Sequence, residues 1–237
     1  MRNQDKPTSP PATTSVEQFL AQVERAPVPA SGRRGRLIFA MDATASRQPT
    51  WDRACQLQGD MFTHTRGLGG LDIQLCFYRG YREFRASPWH DNAAALRRAG
   101  QAVRCLGGHT QIIRLLRHAL AEHQRQPVQA LVFIGDAIEE PIDQLCQLAG
   151  QLGILGVPLF LFQEGHDPLA SNGFAQLARL SSGAHCHFDH HSAATLSELL
   201  NAVAVYASGG KQALDALLSH ASPALIGLTR QLQGPKG

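Results

Sequence analysis

From Arg36 onward, short apolar runs of strand length alternate with segments of helical period. The runs are "RLIFAM", "LDIQLCFYRG", "VQALVFIGD", "PLFLFQEG" and "AHCHF". They are almost uninterrupted, so both faces of each strand must be covered. Between them, "TWDRACQLQGDMFTHTRG", "NAAALRRAGQAVRC", "TQIIRLLRHALAEHQ", "PIDQLCQLAGQLGIL", "NGFAQLARLSS" and "SAATLSELLNAVAVYASGG" carry apolar residues at helical spacing. Buried strands alternating with helices imply a parallel sheet sandwiched by helices, with right-handed crossovers. "YREFRAS" alternates after a tight turn at Arg79-Gly80, which predicts one antiparallel strand beside the second run. The fold class expected is therefore α/β, Rossmann-like and doubly wound: a mostly parallel sheet with one antiparallel edge strand and helices on both faces.

Around this unit lie two extensions. Residues 1–14 are rich in Pro, Ser and Thr, a composition that predicts disorder. "SVEQFLAQVER" follows, with Ser15 and Gln18 spaced as a capping box and Phe19, Leu20 and Val23 on one face, which predicts a short helix at about 15–25. "APVPASGRRGR" reads as a linker. The expected division is an extension over 1–35, the α/β domain over 36–210, and helical segments over 211–237. Of the 237 residues, 43% are hydrophobic, enough for one sizeable core.

Charge excludes some functions. The formal net charge is +3, and the densest basic run, "GRRGR" at 32–36, has no interleaved aromatic residues of the kind single-strand binding needs. No apolar run approaches the roughly 20 residues that span a bilayer. Five cysteines, Cys55, Cys76, Cys105, Cys146 and Cys186, include no CxxC and sit mostly among apolar neighbours. They read as reduced thiols, and with no apolar leader segment at the N-terminus they point to a cytoplasmic setting.

In a sheet of this kind, ligands bind beyond the carboxyl ends of the strands, where strand order reverses. Three segments at such positions supply oxygen. "DATAS" follows the first strand, with Asp42, Thr44 and Ser46 on alternate positions. "GGHTQI" brings Thr110 to the start of a helix, and Gly107 and Gly108 allow close approach. Asp136 follows "LVFIG". Two carboxylates and three hydroxyls form a hard donor set suited to Mg²⁺, whereas softer metals call for Cys or His. Asp42, Thr110 and Asp136, each taken alone, are equally ordinary helix N-caps. The set of three segments, in this order, favours a shared site.

This constellation resembles the von Willebrand factor A (vWA) domain. Its metal-ion-dependent adhesion site uses D-x-S-x-S after the first strand, a threonine in a second loop and an aspartate after the fourth strand. "DATAS" matches with Thr44 in place of the first serine, "GGHTQI" supplies Thr110 and "FIGD" supplies Asp136. The likeness runs from about Arg36 to Gly210. The second loop departs from the family's frequent GGT, because His109 stands between the glycines and the threonine. By resemblance, Thr44 and Ser46 are ligands directly or through water, Thr110 is a direct ligand when the site is engaged, and Asp42 and Asp136 supply charge. The implied ion is Mg²⁺, or Mn²⁺ or Ca²⁺.

Other motifs read more plainly. His185 and His187 of "HCHFDHH" fall on one face of a strand, a spacing compatible with Zn²⁺. With Asp189, His190 and His191 they read more simply as surface histidines after an edge strand. Glu139 and Glu140 read as an acidic rim or as dipole partners at a helix start. Trp51 and Phe62 read as core.

The resemblance implies a non-catalytic module of the intracellular bacterial type, in which an Asp or Glu from a protein partner completes the metal's coordination. By analogy the partner is a component of an assembly, such as an AAA+ ATPase; neither nucleic acid nor membrane is expected. Two other readings remain: a metal-dependent hydrolase with His109 as base, and a scaffold whose metal site has degenerated.

Overall fold

A computed structural model describes residues 16–25, 34–44, 48–188 and 193–219. In chain order the elements are α1 (Val16–Arg25), β1 (Gly35–Asp42), α2 (Gln48–Thr65), β2 (Leu71–Arg79), β3 (Glu83–His90), α3 (Ala93–Gln101) and α4 (Ile112–Arg125). They continue with β4 (Ala130–Gly135), α5 (Ile142–Ile154), β5 (Leu159–Glu164), α6 (Pro168–Leu180), β6 (Ala184–Phe188) and α7 (Ala193–Ser219). A turn of 3₁₀ helix at Arg66–Leu68 joins α2 to the second strand.

The strands form one sheet in the order β3-β2-β1-β4-β5-β6. All neighbours are parallel except β2 and β3. This is the doubly wound arrangement with an antiparallel edge strand. The order reverses between β1 and β4, where Met41 pairs with Ile134. That junction is where a ligand crevice opens beyond the strand ends.

Strand alternation divides the core between two faces. Leu37, Phe39 and Met41 of β1 pack into one cluster with residues of α1, α2, α3 and α7. Ile38 and Ala40 pack into the other, with α4, α5 and α6. Every residue of β1 and of β4 is buried, as their unbroken apolar runs require. Helix α1 packs into the first cluster: Phe19 is fully buried, with its ring 5.2 Å from Phe162 and 6.1 Å from Phe160. Burial of one such side chain contributes about 2–3 kcal/mol. Trp51 is also core, and its indole N–H donates to the Gly100 carbonyl at 2.9 Å, tying α2 to α3.

Helix α7 is two helical pieces meeting at Gly210, whose φ of 68° and ψ of −163° only glycine tolerates easily. The "GG" at 209–210 thus ends one helix, and the "KQALDALLS" segment continues as the second. The segment "PALIGLTRQL" and residues 1–15 lie outside the described residues.

A buried ionic cluster holds the opposite end of β1. The Arg36 guanidinium lies 3.8 Å from the centre of the Trp89 ring and 3.4 Å from the Glu122 carboxylate. Glu122 also accepts from Trp89 Nε1 at 2.9 Å and pairs with Arg125 at 2.7 Å. Burial pushes the Glu122 carboxyl up, but the Trp89 bond and the charges of His118 and Arg125 outweigh it and leave it below its ordinary value. Sharing by several donors compensates the desolvation of such a charge.

Candidate metal site

Asp42 is the last residue of β1 and is 2% exposed. Its Oδ1 accepts the backbone N–H of Thr44 at 2.7 Å, a local turn that bends the chain away from the strand. Thr44, two residues beyond Asp42, is half-buried. Asp136 follows β4, one position beyond Gly135, and is also half-buried. Since Met41 pairs with Ile134, the two aspartates emerge from adjacent strands at nearly the same level. Neighbouring strands stand about 4.8 Å apart.

Two sets of bonds bring the Thr110 segment to these strand ends. The Leu106 N–H donates to the Ala43 carbonyl at 2.9 Å, which lays the 103–110 loop against the end of β1. Thr110 is then joined to the loop after β4 in both directions. Its N–H donates to Glu139 Oε2 at 2.7 Å, and its Oγ1 accepts the Glu139 N–H at 3.1 Å. Thr110 is 8% exposed, so its hydroxyl is held rather than free in solvent.

Glu139 and Glu140 do more than border the site. The amides of Ile112 and Ile113 each donate to the Glu140 carboxylate at 2.8 Å. Gln111 at the start of α4 makes no side-chain cap, so Glu140 supplies that cap from a different loop. The first amides of a helix are unsatisfied within it and favour an anion. The two glutamates are thus dipole partners, as a helix start suggested, but of α4 and not of the α5 they precede. Their partners lie 27 to 30 positions away in sequence, so no local spacing reveals the pairing.

Of the two glycines in "GGHT", one is essential to the approach. A Cβ on Gly108 would lie 2.1 Å from the Gly80 carbonyl oxygen, whereas one on Gly107 meets nothing within 4 Å. His109 turns outward: its side chain is 76% exposed and Nδ1 lies 3.3 Å from Glu139 Oε1.

Asp42, Thr44, Thr110 and Asp136 therefore gather at the switch point between β1 and β4; Ser46 lies outside the described residues. These four residues offer only oxygen from their side chains, two carboxylates with two hydroxyls, and this donor set fits a hard divalent cation such as Mg²⁺. Among the described residues, no group of three or more His, Cys, Asp or Glu is placed to hold a metal.

That holds for the histidines of β6. They share a face, as the sequence indicated, but they are not surface groups. His185 is 5% exposed and its Nε2 lies 3.0 Å from Gln163 Oε1. Gln163 in turn donates to the Asp167 carbonyl at 3.1 Å, which aims its oxygen at the ring and fixes the proton on His185 Nε2. Burial, with His187 beside it, pushes the His185 pKa down to about 4. His187 is half-buried and its Nε2 lies 2.9 Å from Ser171 Oγ. Asp189, His190 and His191 lie outside the described residues. The four cysteines that can be described, Cys76, Cys105, Cys146 and Cys186, are free thiols.

No protein-family model and no curated protein matches the sequence. Solved structures do match its fold. The vWA domain of SpRpn10 superposes with a TM-score of 0.58 at 12% identity, covering 71% of this chain and 94% of that one. An aerotolerance-related membrane protein from Bacteroides fragilis gives 0.53 at 14% identity, covering 70% and 98%. Proximal thread matrix protein 1 from the mussel byssus, with a zinc-occupied metal-ion-dependent adhesion site motif, gives 0.50 at 16% identity, covering 73% and 48%. The fold of this chain is the vWA fold. No helix among the described residues is long and apolar enough to cross a membrane.

Proposed function

We propose that this chain is a protein-interaction module whose contact with its partner depends on a divalent cation held by Asp42, Thr44, Ser46, Thr110 and Asp136. The observation that carries the reading is the convergence of two aspartates and two hydroxyl residues from three separate segments at the β1/β4 switch point. The likeness to a vWA structure with zinc in its adhesion-site motif supports a divalent ion at this position. The oxygen donors and their small total charge favour Mg²⁺, or Mn²⁺ or Ca²⁺, over zinc here.

When bound, the ion would present an electrophilic position to an incoming carboxylate. The chain's own residues do the rest. Asp42 and Asp136 together balance the ion's two charges and the hydroxyls add none, so the loaded site carries no excess negative charge and leaves the ion's open position to a carboxylate. An Asp or Glu of a partner protein is thereby attracted, and without the ion the same two aspartates repel it. Thr110 is held by Glu139, so the second loop meets the ion with little rearrangement. The setting is cytoplasmic, and the partner is a subunit of a larger assembly, such as an AAA+ ATPase. Supporting a partner within an assembly is the likeness of fold to the human COPII-coat protein Sec24c, at a TM-score of 0.51 and 11% identity.

The test is a thermal-shift titration paired with affinity capture. Mg²⁺ or Mn²⁺ should raise the melting temperature, and a partner retained with Mg²⁺ should be released by chelator. An unchanged melting temperature, together with capture insensitive to Asp42→Ala, would falsify the reading.

A further inference from the structure

Among the described residues, the rim of the candidate site is electrically lopsided. On the β5 side stand Glu164, which accepts from Thr50 Oγ1 at 2.6 Å, and Asp167, which caps α6. On the β2-β3 side the rim is basic and partly apolar. Tyr81, at the tip of the hairpin, is 80% exposed, and Leu106 is 47% exposed. Arg82 adopts a φ of 61° and lays its guanidinium 5.3 Å from the Tyr81 ring centre. Arg114, from the first turn of α4, donates to the Arg82 carbonyl at 2.6 Å and to Gln111 Oε1 at 2.7 Å. Arg104 is exposed nearby, and its carbonyl accepts from Arg79.

This tip is continuous with the metal ligands. The Gly80 N–H donates to the Leu106 carbonyl at 3.3 Å, and the Leu106 N–H donates to Ala43, the residue between Asp42 and Thr44. Asp42 also pairs in register with Tyr78, three residues before Tyr81. Three residues of extended chain reach at most about 10 Å. Arg79 and Arg85 are balanced by Glu83, at 3.0 and 3.3 Å. Among the described residues, Arg82, Arg104 and Arg114 have no carboxylate at ion-pair distance.

The geometry points to a docking lane from the metal site toward the β2-β3 hairpin, fitted to an acidic segment of a partner protein that carries an apolar residue. One carboxylate of that segment sits at the metal. Further carboxylates meet Arg82, Arg104 and Arg114, and the apolar residue rests on Tyr81 and Leu106. The acidic β5 side turns such a segment away, so the charge pattern fixes its direction as well as its chemistry. An aromatic ring with a stacked guanidinium is a favourable, pre-ordered contact surface. This inference rests on the metal-site reading and adds to it the partner's composition and path.

The probe is a short fluorescent peptide of Glu and Asp around one Leu, compared with its Gln/Asn counterpart. Binding to the full chain is read by anisotropy with Mn²⁺, at low and at physiological salt. The acidic peptide should bind with Mn²⁺, be released by chelator, and bind more weakly as salt rises. The double variant Arg82→Glu/Arg114→Glu should weaken it by about tenfold or more at low salt. Arg179→Glu, an exposed charge reversal in the last turn of α6, should leave it unchanged. Mn²⁺ uptake is measured on the same samples. Uptake without peptide binding, or equal binding by the double variant, overturns the lane and leaves the metal reading standing. Absence of Mn²⁺ uptake overturns both.

Discussion

Glu139 and Thr110 are bonded to each other twice, in opposite directions: the Thr110 N–H donates to the Glu139 carboxylate at 2.7 Å, and the Glu139 N–H donates to the Thr110 hydroxyl at 3.1 Å. With the Glu140 cap on Ile112 and Ile113, this locks two candidate ligand loops together before any ion arrives. Replacing Glu140 by Ala removes a charged cap from two helix-start amides and should cost about 1–2 kcal/mol of stability. Glu140→Gln should recover part of it. Urea unfolding followed by circular dichroism measures both; a cost within error for Glu140→Ala would show that the cap is incidental.

The glycines of the same loop give a paired prediction. Gly108→Ala would drive a methyl to 2.1 Å from the Gly80 carbonyl oxygen, a backbone atom that cannot swing away, whereas Gly107→Ala enters open space. Gly108→Ala should destabilise by roughly 2 kcal/mol or more and weaken metal binding, because the Thr110 loop must shift. Gly107→Ala should stay within about 0.5 kcal/mol of wild type. Equal effects from the two would mean the close approach of the loops does not matter.

Much of this architecture is legible in the sequence, for identifiable reasons. Strands buried on both faces read as unbroken apolar runs, so β1, β4 and β5 show themselves directly. Asp42 ends one of those runs and Asp136 stands immediately after another, whereas Thr110 stands just before the start of α4. Helix α6 begins at Pro168, capped by Asp167, four residues before the helical spacing of "NGFAQLARLSS" starts. The Asp-Pro pair at 167–168 carries the signal of that start, with Asp167 as the cap and Pro168 in the first turn. A dipole role for Glu139 and Glu140 is legible, but not that they serve α4, and nothing in the sequence marks the placement of Arg82 and Arg114. Their partners are remote in sequence, and a cap supplied from another loop leaves no periodic trace.

Acid should weaken the β6 edge. The His185 pKa lies at about 4 in the folded chain, below its ordinary value, through burial first and His187 second. His187 is lowered as well, by burial and by His166. The folded state therefore holds fewer protons than the unfolded state between the two pKa values. Stability is complete above about pH 6.5 and falls as pH drops toward 4, by on the order of 3 kcal/mol from His185 alone. In His185→Gln this part of the pH dependence should flatten. Unfolding free energies at several pH values test it, and an unaltered slope in the variant would assign the acid sensitivity elsewhere.

The buried Arg36–Glu122 pair should be intolerant of losing one partner. Glu122→Ala would strand the 5%-exposed Arg36 and remove the acceptor of Trp89 and Arg125. Breaking such a pair typically costs about 3–5 kcal/mol. Chemical denaturation should register a loss of this size; a loss below about 1 kcal/mol would mean that water or another group compensates the arginine.

The central claim is that Asp42, Thr110 and Asp136 hold one divalent cation. Mn²⁺ tests it most directly, since the paramagnetic resonance signal of the free aquo ion is lost on binding. Titrating Mn²⁺ into the full chain should deplete the signal with one site per chain. Mg²⁺ should restore it by competition, and Asp42→Ala and Thr110→Ala should each abolish the depletion while remaining folded by circular dichroism. Depletion that persists in Asp42→Ala, or a wild-type chain that leaves the free signal untouched, would contradict the account.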